Sequence, residues 1–394
     1  MRLLPFLAVA ALALFARSLP RGAPRAWFVG LLATSALLTF YAAEARAYAL
    51  LALFDLALFL LLRRPGMGWP RAAAIAACTA AALATHSLAA LFVAAVGLIA
   101  LLERRWRDAA AVAAGGVLFL PWAPVLLRQP PESTAWIHEP FGWSVAGFLS
   151  AFGGVGRIPP AFGPPAPSIL FWAGVSVGTV STVTLAAAAR RDPELRAALA
   201  ATALPLAAAL AASPLRPIAF AGRTEMAVLP VWIWAVARGA AQGRLARAAA
   251  SSAAVLGALA LAVTVPVPRP EPSPQRVTTA LEALVRPADL VVAGTAFYLP
   301  ARLARDRGAL RAPLAALPRE LERHPGWFPL APLSPEGYAE LAATLAGRPG
   351  SSRVWLMIHP LFATQRLSDV LEARGDAREV LRTPDAVVLL WVAR

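Results

Sequence analysis

Apolar runs of about 16–20 residues recur through the first two thirds of this chain, separated by short clusters of arginine. Runs of that length match the hydrocarbon thickness of a bilayer, and no soluble core can absorb so many of them. Small soluble domains need polar cover over a surface that grows with size. A soluble protein carries roughly 25 % charged residues, whereas here 15 % are charged and 59 % are hydrophobic. The charges are also unevenly placed. Residues 1–266 read as a polytopic α-helical membrane domain. Residues 267–275 fall in a Pro-rich stretch, VPVPRPEPSP, that reads as a semi-rigid linker. Residues 276–394 have the composition of a small α/β domain.

The spacing predicts about ten spans, at roughly 3–17, 27–43, 47–62, 71–86, 87–102, 109–127, 168–189, 197–212, 226–241 and 247–265. Fifteen arginines fall in one set of loops (Arg17, Arg63, Arg104, Arg190, Arg238 and their neighbours) and six in the other. The rich side is expected to be cytoplasmic. Residues 71–102 form one long apolar run between two arginine-rich loops, so the run must cross twice, with a turn near Thr85-His86-Ser87. A single helix of that length would reach about 48 Å, too long for a core of about 30 Å. This topology leaves both termini outside the cytoplasm, with residues 129–167 and 213–225 as outer loops. The C-terminal domain is then extracytoplasmic. Within it the pattern predicts helices at 276–285 and 335–346 and strands at 290–293, 354–358 and 386–392.

The net charge of +15 invites a nucleic-acid reading, but its distribution argues against one. The cations sit between apolar runs and lack the aromatic interleaving that single-strand binders use. Cys78 is the only cysteine, so no internal disulfide and no thiol-based metal cluster can form. No GxGxxG, P-loop, HExxH or CxxC pattern occurs. The sequence names no cofactor and leaves a divalent-metal requirement open.

The densest local pattern is Tyr41-Ala-Ala-Glu44-Ala-Arg46-Ala-Tyr48, at the outer mouth between two helices. An ionisable pair there must be paired or line a wet cavity. Arg46 could grip a phosphate through its planar fork, oriented by Glu44. Alternatively the pair caps a helix turn, with Tyr41 and Tyr48 as interface anchors. Asp55, seven residues after Tyr48, shares its helix face near the bilayer centre. It reads as a functional acid or as a polar contact to a neighbouring helix. His86 could hydrogen-bond a phosphate, act as a base or hold the turn. Arg223 is a second phosphate ligand or an interface residue, with Glu225 beside it. Trp136, His138, Glu139 and Trp143 form a weaker group, able to stack on a sugar or to anchor a loop.

The chain resembles the bacterial family 39 glycosyltransferases, multi-spanning enzymes of the GT-C fold related to protein mannosyltransferases and aminoarabinose transferases. The resemblance rests on YAAEARAYALLALFDLALFLLLRR, similar to that family's Glu-x-Arg-x-Tyr segment, and on ATHSLAALF, FLPWAPVLLRQ, WIHEPFGWSVAGFLSAFGG and FAGRTEMAVLPVWIWAVARG in the expected order. It implies transfer of a sugar from a polyprenyl-phosphate donor to a lipid or protein acceptor on the outer face. It also implies a donor site lined by Glu44, Arg46, Tyr48, His86 and Arg223. Two departures matter. Thr224 stands where the family usually has Tyr. The family's first helix and following Asp-Glu loop, which supplies the catalytic base, match no position here. No base is therefore assigned, and the resemblance is compatible with a truncated or inactive transferase. The alternative function is a non-catalytic scaffold or accessory subunit that uses its outer domain to bind a partner. A transporter, with Asp55 as its lone midplane acid, ranks last.

Overall fold

The computed structural model describes residues 3–43, 47–66, 68–124, 140–157, 168–264, 274–322, 333–350, 352–360, 364–383 and 386–394. They divide into two compact units, one from the residues up to Arg269 and one from Pro270 onward.

The first unit is all helical. Its elements are α1 (Leu3–Leu12, continued by a 3-10 turn to Ser18), α2 (Ala23–Thr34), α3 (Ala36–Ala43), α4 (Tyr48–Arg63), α5 (Trp69–Thr85), α6 (Ala89–Leu102), α7 (Trp106–Phe119), α8 (Phe141–Phe152), α9 (Ser168–Ala189), α10 (Pro193–Ala212), α11 (Leu229–Gly239) and α12 (Arg244–Thr264). Among the described residues, α9, α10 and α12 are each long and apolar enough to cross a membrane. The pair α2 and α3 would supply a fourth span, broken by a 58° bend at Ser35. Leu118, Ile169, Val183 and Val255 are exposed on the outside of the unit, as apolar residues facing lipid tails would be. The break between α5 and α6 falls at His86–Leu88, in the middle of the 71–102 run.

One expectation is overturned. Residues 129–167 are not wholly loop, because α8 forms within them and packs along α9. A 12-residue helix between Pro140 and Gly153 is too short to stand out as a span. Its inner face carries small residues, Ser144, Ala146, Gly147, Ser150 and Ala151, which read as turn-like but allow close helix approach. The same device recurs nearby. A β-carbon at Gly178 would overlap the Leu149 carbonyl, one at Gly153 the Gly174 carbonyl, and one at Gly257 the Thr34 carbonyl. Backbone-to-backbone contact thus binds α2, α8, α9 and α12. Trp232 of α11 adds a hydrogen bond from Nε1 to the Phe152 carbonyl and stacks on the Phe152 ring at 4.3 Å.

Four arginine-rich loops meet at one end of the bundle through ion pairs. Arg63 bonds Glu103 and Glu194, and Arg71 and Arg105 both bond Asp108. Arg238 bonds Asp192, the N-cap of α10.

The second unit is a five-stranded sheet in the order β2-β1-β3-β5-β4. Its elements are α13 (Pro274–Glu282), β1 (Leu290–Gly294), α14 (Tyr298–Asp306), β2 (Leu314–Leu317), α15 (Pro335–Ala346), β3 (Arg353–Ile358), α16 (Gln365–Glu372), β4 (Gly375–Arg382) and β5 (Val387–Ala393). β1 is parallel to β2 and β3, while β5 is antiparallel to β3 and β4. β1 reads LVVAG and is buried throughout, because both faces are covered. Val291 and Ala293 join the layer of α13 and α14, while Leu290 and Val292 join that of α15 and α16. The pattern did not anticipate α14, β2, α16 or β4. β4 reads GDAREVLR and exposes all but Gly375, the charged composition that protects a sheet edge from pairing with other chains.

Candidate functional site

At the end of the first unit opposite the arginine-rich loops, the tip of α3, the start of α4, the α5–α6 turn and the segment leading into α11 converge. Tyr41, Tyr48 and His86 form a continuous ring stack. The centroids of Tyr41 and Tyr48 lie 4.6 Å apart, and those of Tyr48 and His86 lie 4.7 Å apart. The Tyr41 hydroxyl donates to the Gly222 carbonyl at 2.6 Å, which ties this stack to the segment that carries Arg223 and Glu225.

That segment is held by its own polar groups. Ser213 Oγ accepts from the Ala219 N–H at 2.8 Å. Thr224 donates to the Ile218 carbonyl and accepts from the Phe220 N–H. The buried Thr224 hydroxyl therefore closes this loop on itself. Gly222 sits at φ 92°, in the left-handed region proper to glycine. Its N–H donates to Glu225 Oε1 at 2.7 Å. Behind the segment, Gly147 of α8 lies so close to Ala221 that a β-carbon there would overlap it. The helix missed from sequence is what backs the loop.

His86 accepts the Leu88 N–H on Nδ1 at 3.1 Å, so a neutral ring carries its proton on Nε2 as a donor. Burial, and then the positive charge of Arg223, push its pKa down to about 4. Arg223 also lies over the Phe220 ring at 5.0 Å. Burial pushes the Glu225 carboxyl up to about 7, against the opposing pull of backbone N–H groups and the charge of Arg157. Its Oε2 has no hydrogen-bond partner among the described residues.

Of the five donor-site residues expected from sequence, Tyr48 and His86 are in contact, and Arg223 is near enough for its charge to act on His86. Glu44 and Arg46 lie outside the described residues, as do Trp136, His138, Glu139 and residues 267–273 of the linker, while Pro274 already opens α13. Trp143 is described and packs on Phe171 and Trp172, a ring cluster of its own. Two residues of the cluster were not singled out as ligands in sequence. Tyr41 read as an interface anchor, and Glu225 read only as a neighbour of Arg223, since burial of a loop carboxylate leaves no periodic signal. Asp55 is fully buried in α4, and neither carboxyl oxygen has a hydrogen-bond partner among the described residues. Cys78 of the neighbouring α5 lies within reach of its charge. Among the described residues no three His, Cys, Asp or Glu side chains gather as a metal site would need.

No protein-family model matches the chain, and no curated protein matches it in sequence. The fold does match solved structures. ArnT from Cupriavidus metallidurans in the apo state aligns with a TM-score of 0.57 at 14 % identity, over 99 % of this chain and 82 % of that one. The same protein bound to undecaprenyl phosphate aligns with a TM-score of 0.55 at 15 % identity, over 98 % and 82 %. This chain is a polytopic helical membrane protein of the GT-C fold with a C-terminal sheet domain.

Proposed function

We propose that this protein is a membrane glycosyltransferase that takes a sugar from a polyprenyl-phosphate donor and passes it to an acceptor on the extracytoplasmic face, in the manner of the family 39 enzymes it resembles. The observation that carries the reading is the meeting of Tyr48, His86 and Arg223 at the bundle end away from the arginine-rich loops. The fold shared with a protein solved in complex with undecaprenyl phosphate supports it.

In this reading the lipid phosphate enters laterally at the outer interface. Arg223 and Arg46 hold its oxygens, since a guanidinium offers two parallel donors to a phosphate. His86, neutral with a proton on Nε2, adds a donor without adding a charge that Arg223 would repel. Tyr41 and Tyr48 fix the His86 ring. As the glycosidic bond to the phosphate breaks, the growing negative charge on the phosphate is stabilised by the same cations. An acceptor hydroxyl needs a base to remove its proton, and that base is assigned to no residue here.

The test is binding of undecaprenyl phosphate to the purified full chain, with Arg223→Gln and Arg46→Ala beside it. Losing a charge-assisted contact should weaken binding about ten-fold or more in each variant. Unchanged binding in both would overturn the donor site. Binding without transfer of sugar from any polyprenyl-phosphate donor would favour the second reading, an accessory subunit. That reading draws on the unassigned base.

A further inference from the structure

The arginine-rich end of the bundle carries a second built feature, independent of the donor site. The α4–α5 and α6–α7 connections form an open cavity of about 700 Å³, lined by Arg63, Arg64, Arg71, Arg104, Arg105 and Arg107 together with Glu103 and Asp108. A volume of this size suits a small headgroup.

The charges of this cup sort into two layers. Arg63, Arg71 and Arg105 are committed. They bond Glu103, Glu194 and Asp108, and Arg71 and Arg105 also donate to the Leu61 and Leu62 carbonyls. The three carboxylates are thereby neutralised. Arg64, Arg104 and Arg107 line the same cavity, are exposed, and have no carboxylate, carbonyl or ring partner among the described residues. Three cations in one concavity repel one another, and protein groups leave that repulsion unanswered. Arg104 sits at φ 58° just past the end of α6, where the Arg105 N–H donates to the Ala100 carbonyl and closes the helix C-terminus.

Trp106 lines the cup, and a second tryptophan, Trp69, stands two residues before its Arg71. Trp69 opens α5 and is 89 % exposed, and Trp106 opens α7 and is 64 % exposed. Indoles at helix ends beside arginines mark the headgroup level of a bilayer. The cup therefore opens where lipid phosphates lie, on the side that the arginine count assigns to the cytoplasm. Basic pockets between helices at that level suit anionic headgroups.

We propose that Arg64, Arg104 and Arg107 form a binding site for the phosphodiester headgroup of an anionic phospholipid, with Arg63, Arg71 and Arg105 as its braced floor and Trp69 and Trp106 against the acyl chains. A headgroup with two phosphodiesters, such as that of cardiolipin, matches three free guanidinium groups best.

The experiment is native mass spectrometry of the full chain in detergent with cardiolipin, with phosphatidylcholine or inorganic phosphate as the comparison ligands. Wild type should retain cardiolipin and neither of the others. Arg64→Gln/Arg104→Gln/Arg107→Gln should lose affinity by on the order of a hundred-fold, at about five-fold per arginine. Arg190→Gln/Arg191→Gln/Arg196→Gln, which removes the same charge from another loop, should stay close to wild type. Arg107→Gln alone, the mildest change, should give about five-fold if the triple variant fails to fold. Equal losses in the two triple variants would mean diffuse attraction and overturn the site. So would retention of phosphatidylcholine equal to that of cardiolipin, or displacement of cardiolipin by millimolar inorganic phosphate.

Discussion

The Tyr41 hydroxyl donates a 2.6 Å hydrogen bond to the Gly222 carbonyl across 181 residues of sequence, and both partners are buried. It is the link between the Tyr41–Tyr48–His86 ring stack and the segment bearing Arg223. Tyr41→Phe keeps the ring packing and leaves the Gly222 carbonyl without this donor, at a cost of about 1–3 kcal/mol. The expected outcome is a lower unfolding temperature in detergent together with weaker undecaprenyl-phosphate binding. A variant that loses stability and binds the lipid as wild type does would separate this bond from the donor site.

Tyr41 also shows where sequence reasoning stops. Its neighbours Tyr48 and His86 were singled out in sequence because Tyr48 opens an apolar run and His86 marks the turn inside a run too long to cross once. Three things were hidden. The contact from Tyr41 to Gly222 depends on which helix ends meet, which periodicity does not encode. α8 was hidden because its inner face is made of glycine, alanine and serine, residues that read as loop and function as close packing. In the sheet unit, β1, β3 and β5 were visible as β-rich apolar runs, but edge strand β4 carries the charges its exposure demands and so looks like loop.

Close packing yields a second expectation. Gly178 of α9 has no room for a side chain, since a β-carbon would overlap the Leu149 carbonyl of α8. Gly178→Ala must push the two helices apart by about an ångström or more, costing about 1–3 kcal/mol. Gly116→Ala, where nothing lies near the added carbon, should be neutral or slightly stabilising in its helix. Thermal unfolding of the two variants side by side checks this; equal stability would mean the helix contact is looser than described.

The sheet unit offers a test with its own optical signal. Asp289 is buried, and its Oδ2 accepts from Trp355 Nε1 at 2.9 Å and from the Arg286 N–H at 2.9 Å. Asp289→Ala strands both donors, at about 1–3 kcal/mol for the first and a further fraction for the second. The fluorescence of the protein should shift to the red at lower denaturant than in wild type, as the Trp355 indole gains access to water. An unchanged midpoint would remove Asp289 from the account of how this unit is held.

Glu225 and His86 give opposite pH slopes, and single variants should reveal each. Glu225 has an ordinary pKa of 4.5 and is raised to about 7 by burial. Between those values the folded state holds more protons than the unfolded state, so stability falls as pH rises from 4.5 to 7. His86 has an ordinary pKa of 6.5 and is lowered to about 4, by burial first and Arg223 second. Between those values the folded state holds fewer protons, so stability falls as pH drops from 6.5 to 4. In wild type the two nearly cancel between pH 4.5 and 6.5. Glu225→Gln keeps an acceptor for the Gly222 N–H and removes one slope. It should be more stable than wild type at pH 8, by about 3 kcal/mol at most, and should lose stability steadily on acidification below pH 6.5. His86→Asn should show the reverse tilt, losing stability from pH 4.5 upward. Unfolding temperatures measured from pH 4 to 8 decide the matter, and parallel profiles for all three proteins would mean that neither group changes its proton affinity on folding.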